Sequence, residues 1–470
     1  MSSKSTKIIS WFLTVGVGVL IWLIPMPEGI GIQAWHLFAI FVATIVGIIA
    51  KPLPMGAVAI LGITMTALTG TLTITESLSG FGNEVIWLIV IAFFISRGFI
   101  KTGLGIRIAY MFIAALGKKS LGLAYGLIAT DLVLAPAIPS NTARAGGVIL
   151  PILKSIAKSY GSEPDDGTAR RIGAFLTKTS FQGTVITGAM FLTAMAANPL
   201  AAKLSQDVGI EITWGNWALA AIVPGLISLI VIPWFLYVIF PPQIKETPAA
   251  AQIAQNKLRE MGALKHSEWV MLGTFILLLF LWIFGKELGV HNTTAAFIGL
   301  GILLVLGGLE WSDILQEKGA WNTLIWFAAL VMMASYMNTL GLVPWFVKMI
   351  STTVAGINWI TAFLVLSLVY FYSHYFFASN TAHVSSMYSA FLNISVAVGT
   401  PPMLAALVLA FFSNLFSSMT HYGTGPAPVL FGSGYVEMGM WWKLGGLISV
   451  INVVIWMGIG GLWWKILGLW

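Results

Sequence analysis

The chain of 470 residues contains no cysteine, and only 9% of its residues are charged. Without cysteine, the chain cannot form disulfide bonds, thiolate metal sites or a thiol nucleophile. Soluble domains carry about 25% charged residues, so the shortage of charge excludes an ordinary soluble globule. Hydrophobic residues instead make up 58% of the chain, in recurring apolar runs of the roughly 20 residues that a membrane-crossing helix needs. The composition therefore indicates an all-α polytopic membrane protein.

Motifs of catalysis and of nucleic-acid binding are missing as well. The chain has no His-Glu-x-x-His motif, no His/Asp cluster with metal spacing and no glycine-rich phosphate loop after a strand. We therefore expect neither enzyme activity nor a cofactor nor a metal. The formal net charge of +7 does not indicate a nucleic-acid partner, because Lys and Arg of a membrane protein collect in the loops on one side of the bilayer.

The distribution of basic residues predicts the orientation of the chain. Lys4 and Lys7 precede the first apolar run, which lacks a small-residue cleavage pattern and is expected to remain as a span with a cytoplasmic N-terminus. We expect a multi-pass protein of the cell membrane, either a plasma membrane or a bacterial inner membrane. The eleven predicted spans are 8–24, 34–50, 55–70, 85–101, 172–195, 217–240, 269–285, 293–309, a ninth that begins at 322, 403–431 and 441–466.

A polar tripeptide occurs twice in this apolar sequence, 239 residues apart. Each copy reads Ser-Asn-Thr and is followed by Ala and a base, Arg144 in the first copy and His383 in the second. Polar clusters are costly in an apolar environment unless they bind something. The two copies, which we interpret as two halves of one substrate site, are Ser140, Asn141 and Thr142, and Ser379, Asn380 and Thr381.

Each tripeptide lies at the middle of a segment that is predicted not to cross the membrane. The first segment, about 121–159, begins and ends beside basic residues of the inner side and carries Pro136 and Pro139 next to its polar centre. This pattern predicts a re-entrant helical hairpin, whose non-helical tip is tolerated at depth only when it packs in protein or lines a cavity. A second hairpin is predicted over about 357–395, with Ser379 at its tip.

The same offset relates other parts of the two halves. Residues 83–87 match residues 322–326 at 239, and Gly183-Thr184 match Gly423-Thr424 at 240. Each copy contains five crossings, an odd number, so the second copy is expected to be inverted, as in many secondary transporters. The predicted organisation is an extra N-terminal span (1–33), a first repeat (34–240), a cytoplasmic linker with a surface helix (241–268) and a second repeat (269–470).

The chemistry of the two tips favours anions. Ser, Asn and Thr are strong helix N-caps, and helix N-termini carry partial positive charge and free N–H groups that bind anions. Two such tips that meet at one site can hold one carboxylate each, which predicts a dicarboxylate as the substrate. The alternative is that both motifs only cap helices. A channel is disfavoured, because polar caps do not form a continuous pore lining.

Two longer motifs, residues 137–151 and 420–432, resemble the divalent anion:sodium symporter (DASS) family, and within it the CitT and plastid 2-oxoglutarate/malate translocator branch. The resemblance covers essentially the whole chain. It implies eleven spans, two hairpins, a homodimer held by a scaffold domain, and an elevator movement of a transport domain. It also implies that both Ser-Asn-Thr motifs contact the substrate carboxylates, together with Gly183, Thr184, Gly423 and Thr424.

The residues near the motifs favour exchange over sodium symport. Sodium-coupled relatives carry a Ser four residues before each motif, where this chain has Pro136 and Tyr375. A fixed cation could replace the bound sodium, so we expect sodium-independent exchange of C4 and C5 dicarboxylates such as succinate, malate and 2-oxoglutarate against a counter-substrate. A sodium-coupled di- or tricarboxylate symporter is the alternative. The candidate cation-substituting or coupling bases are Lys178, His421, His374, Arg144 and His383.

Some of these bases have a structural alternative. Lys178 could extend to the inner surface near Arg171, and the two histidines of the second hairpin could be packed core residues. Asp131 and Arg97 are two further charges in apolar sequence. Because an uncompensated ion at the bilayer centre costs at least about 2.5–3.5 kcal/mol, Asp131 is expected to pair with a base such as Arg97 or Lys178.

Overall fold

A computed structural model describes residues 3–285, 287–353 and 358–470. The described chain is all-helical and forms no β-sheet; its extended contacts amount to one isolated bridge between Lys119 and Glu246. The all-α class predicted from composition is therefore confirmed. Residues 1–2 of the predicted N-terminal span and residue 357, the predicted start of the second hairpin, lie outside the described residues.

The helices of the first half include six that precede the first predicted hairpin. In chain order they are α1 (Ser3–Leu23), α2 (Ile32–Ala50), α3 (Met55–Leu68), α4 (Ile74–Ser77), α5 (Glu84–Thr102), α6 (Leu104–Leu116), α7 (Ser120–Leu134), α8 (Asn141–Arg144), α9 (Leu150–Ser159), α10 (Gly173–Met190), α11 (Ala197–Gln206), α12 (Trp214–Ile239) and α13 (Pro248–Met261).

The helices of the second half follow the predicted linker. They are α14 (His266–Phe284), α15 (Asn292–Val305), α16 (Trp311–Gln316), α17 (Lys318–Thr339), α18 (Leu342–Thr353), α19 (Trp359–Ser373), α20 (Asn380–His383), α21 (Ser389–Ala397), α22 (Pro402–Leu415), α23 (Pro426–Phe431), α24 (Met438–Val454) and α25 (Gly461–Ile466).

Seven helical segments of the described chain are long and apolar enough to cross a membrane. They are Ile32–Ala50, Glu84–Thr102, Trp214–Ile239, His266–Phe284, Lys318–Thr339, Trp359–Phe376 and Met438–Ile466. Six of them fall on predicted spans, and the seventh, Trp359–Phe376, is the first arm of the predicted second hairpin. The other predicted spans form shorter apolar helices, except α10, which is rich in Thr, Ser and Gln and is buried along its whole length.

The chain divides into two compact units, and each takes segments from both halves of the sequence. The first unit consists of residues 1–90, 199–212 and 318–410. In this unit α1 packs on α2, and α17 packs against α2 and α3. Close packing requires glycine at position 80, because a Cβ there would lie 2.0 Å from the Ala328 carbonyl oxygen.

The second unit consists of residues 91–198, 213–317 and 411–470. The buried helix α10 packs against α7, α12 and α23. The linker helix α13 belongs to this unit and packs on α6. The segment before α13 is held by backbone bonds on both sides, since the N–H of Ile244 donates to Arg171 and the N–H of Thr247 donates to Lys118.

The two predicted hairpin segments contain the same elements in the same order, at the offset of 239 residues found in the sequence. α7 corresponds to α19, α8 to α20 and α9 to α21. A π-helical turn also follows each short helix, over Ala145–Ile149 in the first hairpin and Val384–Tyr388 in the second. Such turns are rare and occur mostly at functional sites.

The two helices paired at the offset of 240 differ locally. α10 continues through Gly183 and ends at Met190, and residues 191–196 are non-helical. Its counterpart breaks earlier, because residues 419–425 are non-helical and α23 starts only at Pro426. Two glycines and a proline at this break disfavour helix, whereas Gly183 is surrounded by residues that a helix accepts.

Candidate functional site

The first tripeptide starts a continuous helical segment that runs through α8, the π-helical turn and α9. Ser140 has extended backbone, and its hydroxyl oxygen accepts a bond from the Ala143 N–H at 3.1 Å. The N-cap predicted from sequence is present at this position. Because the first N–H groups of a helix have no partner within the helix, the amides of Asn141 and Thr142 lie at an open, anion-favouring end.

Arg144 lies directly beneath this tip and is completely buried. Its Nη1 donates to the carbonyl oxygens of Ile138 at 2.6 Å and Ala194 at 2.7 Å, and its Nη2 donates to Asn141 Oδ1 at 2.8 Å. The guanidinium thus joins the hairpin tip to the non-helical segment after α10. Its N–H groups donate to oxygen atoms of the protein and do not point toward an open surface.

The charge of Arg144 is balanced by a buried acid. Arg144 Nε donates to Asp131 Oδ1 at 2.9 Å, and Asp131 Oδ2 accepts a bond from the Thr187 hydroxyl. The expected pairing of Asp131 with Arg97 or Lys178 is therefore wrong. The reason is geometric: Asp131 on α7 and Arg144 after the tip belong to the two arms of one hairpin, which the fold brings together.

A row of asparagines continues from the tip across α10. Asn198 Nδ2 donates to the carbonyl oxygens of Gly188 at 2.8 Å and Phe191 at 2.9 Å, so its Oδ1 must be the acceptor of the bond from Asn414 Nδ2 at 2.7 Å. The Oδ1 of Asn414 is left buried without a partner in the described part of the chain.

Glycine at position 188 makes this arrangement possible. A Cβ there would lie 2.7 Å from Asn141 Nδ2 and 2.8 Å from Asn414 Oδ1. Both amide groups therefore approach the α10 backbone more closely than any side chain would allow. The tip and the asparagine row meet above Gly188.

The non-helical segment 419–425 approaches the same tip. A Cβ on Gly425 would lie 2.1 Å from Thr142 Oγ1, so only glycine allows this contact. The segment is itself fixed by a bond from the Gly423 N–H to Thr420 Oγ1 at 2.9 Å. Thr142 and Gly425 are both exposed, while Thr424 is buried.

The predicted partners on α10 lie deeper in the unit. Gly183 packs against α7, since a Cβ would lie 2.6 Å from Ile128 Cγ1. The Thr184 hydroxyl is buried and has no partner in the described part of the chain. These two residues precede Gly188 by about one turn, and it is Gly188, not Gly183, that faces Asn141.

The second tripeptide belongs to the first unit and repeats the cap geometry. The Ser379 hydroxyl accepts a bond from the Ala382 N–H at 3.4 Å, and Asn380 is buried. His383, the counterpart of Arg144, is buried and lies 3.1 Å from His374 between their Nδ1 atoms. One of these two nitrogens must donate and the other accept, so at least one Nδ1 carries no proton.

Two further predicted bases belong to the second unit and contact aromatic residues. Lys178 is fully buried; its Nζ donates to the Trp441 carbonyl at 3.0 Å and lies 4.1 Å from the centroid of that indole ring. The extension of Lys178 to the inner surface is therefore absent. His421 Nδ1 accepts a bond from Trp442 Nε1 at 3.0 Å, which requires that this nitrogen carry no proton.

Three residues at the first tip were missed in the sequence. Gly188, Asn198 and Asn414 carry no motif, and each comes from a different place along the chain. Buried asparagines on apolar helices were the available signal, because a buried amide needs partners. Their convergence depends on tertiary packing that the sequence does not display.

A family model described as the sodium:sulfate symporter transmembrane region matches residues 5–470. The candidate malate transporter YflS of Bacillus subtilis (strain 168) is 61% identical over 468 residues, which cover 99% of this chain and 98% of the relative.

More distant relatives also match over nearly the whole chain. Dicarboxylate transporter 1 of Spinacia oleracea chloroplasts is 53% identical over 456 residues, which cover 96% of this chain and 80% of the relative. The inner membrane protein YbhI of Escherichia coli (strain K12) is 38% identical, with 97% of each chain covered.

A solved structure shares the fold. The YdaH transporter of Alcanivorax borkumensis superposes with a TM-score of 0.56 at 12% sequence identity, covering 98% of this chain and 97% of that one. At this identity the likeness concerns the fold alone.

Proposed function

Because the chain belongs to the sodium:sulfate symporter family, a family of divalent-anion transporters and not of enzymes, we propose that it carries C4 and C5 dicarboxylates across a membrane. Relatives at 61% and 53% identity are named for malate and dicarboxylate transport. The observation that carries the proposal is the pair of equivalent tips, each with a Ser N-cap, an Asn and a π-helical turn. Each tip offers N–H and hydroxyl donors to one carboxylate.

The proposed substrate contacts come from both tips, from α10 and from the non-helical segment 419–425. They are Ser140, Asn141, Thr142, Ser379, Asn380, Thr381, Gly183, Thr184, Gly423 and Thr424. Thr142 and Gly425 support the first half of this set, since both are exposed and lie close together in the second unit, with the buried Asn141 next to Thr142.

We propose further that transport is sodium-independent exchange of one dianion for another. The tip atoms that would suit a sodium ion are oxygens, and Arg144 already occupies three of them: the carbonyls of Ile138 and Ala194 and the Asn141 Oδ1. A guanidinium fixed in this place donates hydrogen bonds to the oxygens that would otherwise coordinate a bound cation. The absence of a small hydroxyl residue at Pro136 and Tyr375 supports the same conclusion.

Among the five predicted bases, Lys178 is best suited to supply net positive charge. Arg144 is neutralised by Asp131, and the bond from Trp442 requires an unprotonated Nδ1 on His421. Lys178 forms no ion pair in the described part of the chain. It lies ten residues before Gly188 on α10, about 15 Å along the helix, where a unit charge contributes roughly 1 kcal/mol per substrate charge at an effective dielectric constant of 20.

Sodium-coupled symport is the second candidate, and it is favoured by the description of the family model itself. A dianion that enters alone against 100 mV needs about twice the 2.3 kcal/mol that one charge costs. Several sodium ions would offset this, whereas exchange cancels it. The occupied oxygens around Arg144 favour exchange.

Other features of the protein complete the proposal. We propose a multi-pass protein of the cell membrane with a cytoplasmic N-terminus, on the basis of Lys4 and Lys7 at the start of α1. By analogy with the resembled branch, we also propose a homodimer and an elevator movement.

Counterflow into proteoliposomes tests the proposal. Purified protein is reconstituted with or without unlabelled malate inside, and uptake of labelled succinate, malate or 2-oxoglutarate is followed with and without sodium. Exchange predicts uptake only into preloaded vesicles, at equal rates in both salts. Sodium-dependent uptake into empty vesicles would overturn the exchange mechanism, and no uptake of any dicarboxylate under either condition would overturn the function.

The site is tested by removing the two asparagine amides. Asn141→Ala and Asn380→Ala should each abolish counterflow, because each tip loses its central donor. The matched control is Asn452→Ala, which removes a buried amide of α24 that has no hydrogen-bond partner in the described chain. Normal transport by either tip variant would contradict the site assignment.

A further inference from the structure

The buried acid Asp131 has a role in the first tip beyond that of a counter-ion to Arg144. Asp131 lies on α7, is 2% exposed, and sits in a segment whose neighbours are apolar. A buried carboxylate is tolerated only when it is paired and hydrogen-bonded. Asp131 meets both conditions, and its partners are the residues that build the first tip.

The two carboxylate oxygens hold two different elements. Oδ1 accepts the bond from Arg144 Nε at 2.9 Å, and Oδ2 accepts the bond from the Thr187 hydroxyl. Arg144 follows the tip of the hairpin, whereas Thr187 lies on α10 one residue before Gly188. Asp131 therefore fixes the tip against the helix face that the Asn141 amide touches.

Asp131, Arg144 and Thr187 form a clamp, and this clamp determines which way the Asn141 amide points. The guanidinium is planar and presents its donors in a rigid fork, so fixing Nε on Asp131 directs Nη2 toward Asn141 Oδ1, 2.8 Å away. Since Arg donates only, the Asn141 oxygen must face Arg144 and its nitrogen must face the other way. Asn141 then offers two N–H donors, as a carboxylate ligand requires, and its acceptor oxygen is withheld.

We propose that Asp131 is a positioning residue for dicarboxylate binding, which acts through Arg144 and Thr187 to keep the Asn141 amide in its donating orientation. This inference rests on the proposed function, because it assigns the substrate carboxylate to that amide. Asp131 does not touch the substrate. It also cancels the charge of Arg144, so the first tip binds through oriented dipoles rather than through a net positive charge.

Asp131→Asn tests the inference in the full-length protein. We expect the KM for malate counterflow to rise about 10- to 100-fold, the loss of one to two oriented hydrogen bonds, while the maximal rate changes far less. A merely structural ion pair would lower the yield of folded protein and leave the KM of the folded fraction unchanged. An unchanged KM in correctly folded Asp131→Asn protein would overturn the proposal.

Thr187→Val keeps the proposal testable if the Asp131 variant does not fold. Valine has nearly the shape of threonine, and we expect a smaller rise of KM in the same direction, restored by Thr187→Ser. The control is Thr177→Val on the same helix, whose buried hydroxyl has no partner in the described part of the chain. If Thr187→Val and Thr177→Val have the same KM, the role of the clamp is refuted.

A double variant separates an indirect effect from a direct one. If Asp131 acts through Arg144, then Asp131→Asn combined with Arg144→Gln should raise KM no more than the worse single variant does. Additive effects would show that Asp131 acts by another route. Wild-type protein serves as the reference throughout: its failure to transport any dicarboxylate would refute the proposed function, whereas wild-type transport with unaffected variants would refute only this inference.

Discussion

Buried bases in this chain differ in what balances their charge. Arg144 has an acid, Asp131, within hydrogen-bonding distance, and His421 accepts a bond at the nitrogen that would have to be protonated. Lys178 has a carbonyl and an indole ring. A cation against an aromatic face is stabilised by about 2 kcal/mol when desolvated, which lowers the cost of burying the ammonium without cancelling its field.

Lys178→Met should therefore weaken substrate binding although Lys178 is not proposed to contact the substrate. The loss of roughly 1 kcal/mol for each of two substrate charges predicts a KM about tenfold higher or more in counterflow, and Lys178→Arg should keep most of the affinity. Because the effect is electrostatic, a dianion should lose more affinity than a monoanion of the same shape.

The control for Lys178 removes a charge elsewhere. Lys257→Met deletes an exposed Lys of α13 that pairs with Glu260, and it should leave KM unchanged. Equal KM values for Lys178→Met and wild-type protein would show that the lysine is neutral or purely structural.

At the level of elements, α10 packs closely against several neighbours. The helix is buried along its whole length and carries several hydroxyl and amide groups, so its neighbours need space at particular positions. Gly188 supplies that space under the first tip, and Gly425 supplies it beside Thr142.

Gly188→Ala should disable the tip although alanine is the better helix former. Alanine stabilises a helix interior by about 1 kcal/mol relative to glycine, so any loss must come from the clash with Asn141 and Asn414. We expect loss of substrate-induced thermal stabilisation in detergent and at least a tenfold fall in counterflow at low substrate concentration.

Gly273→Ala is the matched control, because this glycine of α14 has open space where a Cβ would be placed. It should preserve transport and leave thermal stability equal or slightly higher. If Gly188→Ala behaves in the same way, the contact between the tip and α10 is not needed for binding.

The Ser N-cap of each tip could be predicted from sequence, whereas much of the first tip could not. Ser140 and Ser379 are local signals: an N-cap depends on the residue itself and on the N–H groups that follow it. Other residues depend on partners in other elements, and their neighbours in sequence do not indicate those partners. They are Asn198, Asn414 and Asp131. The match between Gly183 and Gly423 does not predict the same local backbone, because Gly425 and Pro426 beside the later break have no counterpart in α10.

Across the whole molecule, each compact unit is assembled from both halves of the sequence, and each contains one Ser-Asn-Thr motif. A repeat at the level of sequence therefore does not become a domain at the level of structure. This interleaving explains why the predicted repeat boundaries at 240 and 269 do not mark compact units.

Exchange of dianion for dianion moves no net charge in a complete cycle, and this property belongs to the protein as a whole. An imposed potential of 100 mV changes the driving force by about 2.3 kcal/mol for each charge moved, so malate–succinate exchange should proceed at the same rate at 0 and 100 mV, inside negative. The potential is set with a potassium gradient and valinomycin in preloaded proteoliposomes. Symport of one dianion with three sodium ions would move one net positive charge inward and would accelerate under the same potential. A potential-dependent rate would therefore contradict electroneutral exchange, even if uptake still required preloaded substrate.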